Sequence, residues 1–260
     1  MPWLRPALIW EDEAVAKPVI GITCYLEPAA WGAWEIRAAV LPHWYLDTFA
    51  DAQVVLIPPT TDDAMLDRLD GLVLVGGADV DARLYGAPPH ETADAPRETR
   101  DASEILLYRG ARRRGMPVFG ICRGLQIMAV AHGGSLVQNL PDLQTGTVHR
   151  IKPAHFNEHG ARLTDGSMIA RLLGSTDVVV NSSHHQAVER AGDLTVTGYA
   201  EDGTVEVCED PSAQFCLGVQ WHPEHPDRRV VDRPLVEAFL AAALQYRSAR
   251  PIASQVLTGA

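Results

Sequence analysis

Cys122, His222 and Glu224 lie far apart in the chain, yet they are the residue types that together perform nucleophilic acyl transfer. Cys122 sits in the run Pro-Val-Phe-Gly-Ile-Cys-Arg-Gly-Leu-Gln, residues 117–126, between Gly120 and Gly124. The apolar residues before the cysteine and the Ile-Met-Ala-Val segment at 127–130 after it predict a short buried strand, a tight turn and a helix. Such a turn presents a nucleophile, and glycines flank it because unusual backbone angles and close strand-to-helix approach exclude side chains. The unpaired N–H groups and positive dipole end of a helix N-terminus favour a thiolate over a thiol. His222 follows a second apolar run at 215–219, and Glu224 stands just beyond the rigid Pro223. An imidazole there can take the thiol proton, and a carboxylate on its other ring nitrogen fixes the tautomer and stabilises the imidazolium.

Attack of a thiolate on an amide carbonyl creates a tetrahedral oxyanion, for which the backbone N–H of Arg123 and one from the Gly76-Gly77 turn are candidate donors. Gln126 lies one helical turn beyond Cys122 and can face the same pocket. The run Asn-Ser-Ser-His-His-Gln at 181–186 follows a strand and is too polar for a core. Its paired histidines, with His149, His155 and His159, invite a metal. Adjacent imidazoles at a strand end diverge, however, and no Cys or acidic residue stands at ordinary ligand spacing, so no metal and no other cofactor is expected. His155 and His159 read as surface or loop residues. Arg100, Asp101 and Glu104 open a helix, where acidic side chains suit the dipole, so capping and ion pairing are their expected role.

These motifs resemble the class I glutamine amidotransferase superfamily, whose nucleophile elbow and terminal His-x-Glu match residues 120–126 and 222–224. Within it the chain is most similar to the stand-alone γ-glutamyl hydrolase branch, peptidase C26, typified by γ-glutamyl-γ-aminobutyrate hydrolase. The branch marks are Gly76-Gly77 with Asp79 and Tyr85, the Arg100, Asp101 and Glu104 cluster, Gly-Gly-Ser-Leu at 133–136, the 181–186 run, and Gly-Val-Gln-Trp-His-Pro-Glu at 218–224. One departure is Ala82, where the branch often has proline after Asp-Val-Asp. The resemblance implies Gly77 as the oxyanion-forming glycine and Gln126 as a substrate-binding residue. It also implies that Ser182, Ser183 and His184 lie beside the substrate's α-amino and α-carboxyl groups.

The elements that must position these residues follow from hydropathy. Strands are expected at 19–24, 54–57, 71–75 and 118–121, a helix at 34–49, a short helical stretch at 66–69 and a helix at 98–110. Continuous apolar strands alternating with helices imply a parallel sheet covered on both faces. After the elbow, short strands at 178–180, 194–199, 204–208 and 215–219 with intervening turns imply antiparallel additions, and a last helix covers 234–246. The expected fold is therefore α/β, three-layer and flavodoxin-like, with a largely parallel sheet, helices on both faces and added antiparallel strands. Ligands in open α/β sheets bind beyond the carboxyl ends of strands, where Gly76-Gly77, Cys122 and His222 all fall.

Composition agrees with one domain spanning 18–247, preceded by an extension at 1–17 and followed by a tail at 248–260. The extension, with Trp3, Trp10 and an acidic Glu-Asp-Glu run, is expected to be disordered, packed on the surface or engaged in a subunit contact. A net charge of −11 argues against nucleic-acid or anionic-membrane partners, and the single basic run at 112–114 reads as cations closing a helix before Gly115. No apolar run approaches the ~18 residues of a membrane span, and four cysteines are too few for a disulfide scaffold. A cytoplasmic protein, free or homo-oligomeric, is expected. The resemblance implies a cysteine hydrolase that splits a small γ-glutamylated amine such as γ-glutamyl-γ-aminobutyrate to glutamate and amine, placing it in polyamine (putrescine) catabolism. The alternatives are a glutaminase subunit that delivers ammonia to a separate synthetase, and a noncatalytic protein that keeps the fold.

Overall fold

A computed structural model describes residues 17–250, so the expected N-terminal extension and C-terminal tail fall almost wholly outside the described residues. The chain runs through β1 (Val19–Thr23), β2 (Tyr25–Trp31), β3 (Trp34–Val40), α1 (His43–Thr48), β4 (Gln53–Ile57) and β5 (Gly71–Leu74). It continues through α2 (Glu98–Arg113), β6 (Val118–Ile121), α3 (Arg123–Ala131), β7 (Ser135–Val137), β8 (Asn157–Leu163) and α4 (Met168–Leu173). The remainder is β9 (Asp177–Ser182), β10 (Ala187–Arg190), β11 (Thr195–Ala200), β12 (Val205–Glu209), β13 (Cys216–Val219) and α5 (Arg233–Ala249).

Nine strands form one mixed sheet in the order β4-β1-β5-β6-β13-β12-β11-β8-β9. Pairings from β4 through β13 are parallel, and those from β13 outward to β9 are antiparallel. The expected α/β sheet with antiparallel additions is thus observed, the antiparallel half being larger than the hydropathy suggested. Side chains alternate across β5, β6 and β13. Val73, Phe119, Ile121, Leu217 and Val219 join one buried cluster with Phe239 and Leu235 of α5 and Ile169 of α4. Leu72, Leu74, Val118 and Cys216 join the other with Leu107 of α2 and Leu125 and Met128 of α3. Two apolar faces on one sheet require helices on both, which is the three-layer arrangement.

The helix expected at 34–49 is only partly present. Residues 34–40 instead form β3, which pairs with β2 in a separate two-stranded hairpin, and helix begins at His43. The hairpin is largely solvated, with Trp31 50 % and Trp34 63 % exposed, so no buried face imposed a strand period on its sequence. The basic run closes α2 as expected: Arg112 pairs with Asp210, Arg113 with Asp63, and Arg114 with Asp63 and Asp67. All four cysteines are free and buried, and Cys208 pairs with Gly218 across β12 and β13. No helix among the described residues is long and apolar enough to cross a membrane.

Candidate active site

The elbow forms where β6 meets α3. Cys122 ends the strand by donating its N–H to Val219 O at 2.7 Å, then turns with φ of 52°, a left-handed conformation that is costly for a residue bearing a Cβ. Close approach of α3 to the sheet depends on Gly124, where a Cβ would collide with the Leu74 carbonyl. Arg123 is the first residue of α3, so its N–H belongs to the set without an intrahelical acceptor.

His222 comes from the loop after β13 and faces the elbow across Gly76. A Cβ placed at Gly76 would stand 3.2 Å from His222 Cε1 and 3.7 Å from Cys122 Cβ, so the three groups share one wall. Glu224 Oε1 lies 2.7 Å from His222 Nδ1, which leaves Nε2 as the nitrogen available for proton transfer. Asn181 at the end of β9 clamps the His222 backbone on both sides, accepting from its N–H at 3.0 Å and donating to its carbonyl at 3.1 Å. The Phe156 ring stands edge-on to the imidazole, with centroids 5.1 Å apart. Gln220 donates its amide N–H to Cys122 Sγ at 3.4 Å.

Burial alone would lower the His222 pKa, but the Glu224 carboxylate and Cys122 outweigh it and hold the imidazole well above its ordinary value. A folded-state pKa above the unfolded one of about 6.5 contributes stability that is complete below that pH and disappears as pH rises through the folded value. The excess Tm of the native chain over His222→Asn is therefore expected to be greatest near about pH 6 and to shrink by several degrees toward alkaline pH. A difference that stayed constant across that range would show that the imidazolium is not stabilised here.

The Gly76-Gly77 turn is held by groups from three directions. Gly76 N–H donates to Tyr45 Oη at 3.1 Å, and its carbonyl accepts from Arg100 at 2.8 Å. Gly77 has φ of 139°, and a Cβ there would fall 2.6 Å from the Tyr25 ring and into the Arg100 guanidinium, so only glycine fits. Arg100 in turn lies 4.5 Å above the Tyr25 ring and donates to Glu104 at 2.8 Å. Glu104 and Asp101 both pair with the Arg123 side chain. Of the capping and ion pairing expected for Arg100, Asp101 and Glu104, the ion pairing is observed and the capping is corrected: all three are buried, and with Arg123 they form an internal four-member ion network. Helix α2 turns these side chains inward, against the elbow, rather than toward solvent.

The residues expected on the glutamyl side are placed differently from one another. Gln126 is buried, and its amide nitrogen donates to Gln186 O at 3.1 Å and Gln220 Oε1 at 3.2 Å, leaving its oxygen as the group that can meet a ligand. Ser182 is wholly buried and donates its hydroxyl to His149 O at 2.7 Å. His184 is also buried and turns toward His149, with ring centroids 4.8 Å apart. The Ser182 hydroxyl and the His184 ring are thus both engaged on the His149 side. Ser183, between them, keeps partial exposure. His185 Nε2 meets Asp79 Oδ1 at 2.9 Å and Asp79 accepts from Asp94 N–H at 2.9 Å, which fastens the loop after β5 to the 181–186 segment. His155 is exposed as expected, whereas His159 is not, because β8 carries its side chain inward. Tyr25, Tyr45, Asn181 and Gln220 had no assigned role in the sequence analysis, and their polar tips are aimed at the site only by tertiary packing.

A family model for peptidase C26 matches residues 18–224. Among curated relatives, the candidate glutamine amidotransferase Rv2859c of Mycobacterium tuberculosis is 41 % identical over 239 residues, which is 89 % of this chain and 76 % of that protein. The γ-glutamyl-γ-aminobutyrate hydrolase PuuD of Escherichia coli is 33 % identical over 203 residues, 74 % of this chain and 78 % of that one. Among solved structures, the glutaminase domain of a Trypanosoma brucei CTPS superposes with a TM-score of 0.56 at 19 % identity, covering 88 % of this chain and 94 % of that chain. A glutamine amido transferase of Methylobacillus flagellatus gives 0.54 at 16 % identity, with 89 % and 93 % coverage. At such identities the structures establish the fold.

Proposed function

Because the chain belongs to the peptidase C26 family, we propose that it is a cysteine hydrolase that cleaves the γ-glutamyl amide bond of a small γ-glutamylated amine through Cys122, His222 and Glu224. The observation that carries this reading is the facing of the Cys122 elbow and the Glu224-bound His222 across Gly76. The Cys122 thiolate attacks the γ-carbonyl, and the N–H groups of Gly77 and Arg123 receive the oxyanion. His222, as imidazolium, gives its proton to the departing amine, leaving a γ-glutamyl thioester on Cys122. Neutral His222 then takes a proton from water, which attacks the thioester to release glutamate and restore the thiol. Glu224 holds the tautomer throughout and compensates the transient positive charge. Gln126 through its oxygen and Ser183 are the residues left to recognise the glutamyl head, and the proposed leaving amine resembles γ-aminobutyrate as in the E. coli relative.

The test is a comparison of kcat/KM on purified chain without added partners. γ-Glutamyl amides are expected to exceed matched β-aspartyl amides by about 10³-fold or more, because polar groups placed for the longer head are left unpaired by the shorter one, while trimming an apolar leaving amine costs only about one or two powers of ten. Equal turnover of the β-aspartyl compounds would overturn the reading. Turnover of glutamine alone, appearing only with a synthetase, would instead identify the chain as a glutaminase that works within a larger amidotransferase.

A further inference from the structure

His149, His159, His184 and Glu206 come from four separate segments: the loop before β8, strand β8, the turn after β9, and strand β12. They converge behind the 181–186 segment, with their donor atoms all within 4.8 Å of one another. One oxygen of Glu206 stands 3.6 Å from Nδ1 of His149, from Nε2 of His159 and from Nε2 of His184. These separations are too long for hydrogen bonds. Each of those nitrogens, and both oxygens of Glu206, lacks a hydrogen-bond partner among the described residues, although the four side chains are between 0 % and 7 % exposed.

The opposite ring nitrogens explain which way the lone pairs point. His184 Nδ1 lies 3.0 Å from Gln186 O, and His159 Nδ1 lies 3.1 Å from Gly160 O. A carbonyl can only accept, so both Nδ1 atoms carry the proton and both Nε2 atoms turn a bare lone pair inward. His149 Nε2 lies 3.1 Å from the Asp202 carboxylate, which likewise accepts and leaves Nδ1 bare. Three imidazole lone pairs and a carboxylate therefore converge in one buried cluster with no donor among them. A proton on Glu206 would satisfy one of these acceptors; a cation satisfies all four together.

We propose that His149, His159, His184 and Glu206 bind a structural zinc ion. Imidazole and carboxylate donors suit Zn²⁺, and four protein ligands fill a tetrahedral shell without leaving an open position for chemistry. Bonds of about 2.0–2.1 Å place tetrahedral ligands roughly 3.4 Å apart, close to the 3.6 Å edges at Glu206. The outer contacts of all three histidines, to Asp202 and two carbonyls, are the partners that orient metal-bound imidazoles. A cavity of ≈ 450 Å³ lined by the 144–153 segment and His184 borders two of the four side chains, His149 and His184. Zinc there ties β8, β9 and β12 together directly behind Asn181, the residue that clamps His222. The inference stands independently of the substrate.

The full chain, purified from zinc-supplemented culture and dialysed free of loose metal, is expected to hold about one zinc by mass spectrometric metal analysis. Removal with EDTA should lower Tm by roughly 5–10 °C, with recovery on adding ZnCl₂ and not MgCl₂, since Mg²⁺ demands an oxygen-rich octahedron. Glu206→Gln and His159→Asn should each lose the bound zinc and the zinc-dependent rise in Tm. Should either variant fail to fold, Co²⁺ added to the metal-free native chain decides the matter, a tetrahedral visible spectrum being expected. An octahedral cobalt spectrum would overturn the proposal. So would a native chain that takes up less than about a tenth of an equivalent of zinc with no change in Tm.

Discussion

Replacement of Cys122 by serine is expected to lower kcat/KM for γ-glutamyl amides by about 10⁴-fold or more, with a Tm within a few degrees of the native chain. The two results belong together. Serine keeps a Cβ at the φ of 52° and fills nearly the same space, so the backbone cost of the elbow is unchanged. What is lost is the sulfur nucleophile itself, which accepts the Gln220 amide at 3.4 Å and shares the Gly76 wall with His222. His222→Ala should be nearly as damaging, whereas Glu224→Gln should leave more activity, because in the proposed mechanism Glu224, 2.7 Å from His222 Nδ1, only orients the imidazole. Mass spectrometry of the native chain quenched during turnover should show a γ-glutamyl adduct that Cys122→Ser lacks. A serine variant within tenfold of the native rate would remove Cys122 from covalent catalysis.

Cys122 and its partners are legible in the sequence for a physical reason: the chemistry needs a sharp turn between buried elements, and that turn writes glycines and apolar runs into a few consecutive residues. The same holds for β5, β6 and β13, which are buried on both faces and read as unbroken apolar runs. The β2–β3 hairpin escapes a hydropathic reading because it pairs only with itself and buries little, so its alternation carries no apolar mark. Charges deceive in another way. Arg100, Asp101 and Glu104 look like a solvated helix start, and only the approach of α3 reveals that Arg123 joins Arg100 in compensating the two carboxylates inside. The histidine cluster has no spacing to recognise, since Glu206 reaches it from β12, across the sheet from β9.

Arg123→Met is expected to destabilise the fold by about 3–5 kcal/mol, a fall in Tm of roughly 6–20 °C, and to reduce catalysis in the fraction that remains folded. Arg123 is 1 % exposed and is the shared partner of Asp101 and Glu104, so its loss leaves two carboxylates in the interior with only Arg100 to compensate them. Burial by itself would raise the Glu104 pKa, yet the two guanidiniums outweigh it and hold the group below its ordinary value, which shows how strongly the charged form depends on both. Lysine is not an adequate substitute, because a single ammonium cannot reproduce the separate bonds to Asp101 and Glu104 made from two guanidinium nitrogens. The catalytic loss follows from the next link. Arg100, freed from a balanced network, would be drawn toward the uncompensated acids and away from Gly76 O, which it now holds at 2.8 Å, and the Gly76-Gly77 turn would lose that support. Pairing Arg123→Met with Glu104→Leu restores charge balance and should recover much of the Tm but not kcat, since the support for the Gly76-Gly77 turn stays altered. Denaturant titration and steady-state kinetics on the two variants separate these effects. Arg123→Met melting within about 2 °C of the native chain would mean that the buried charges do not organise the elbow.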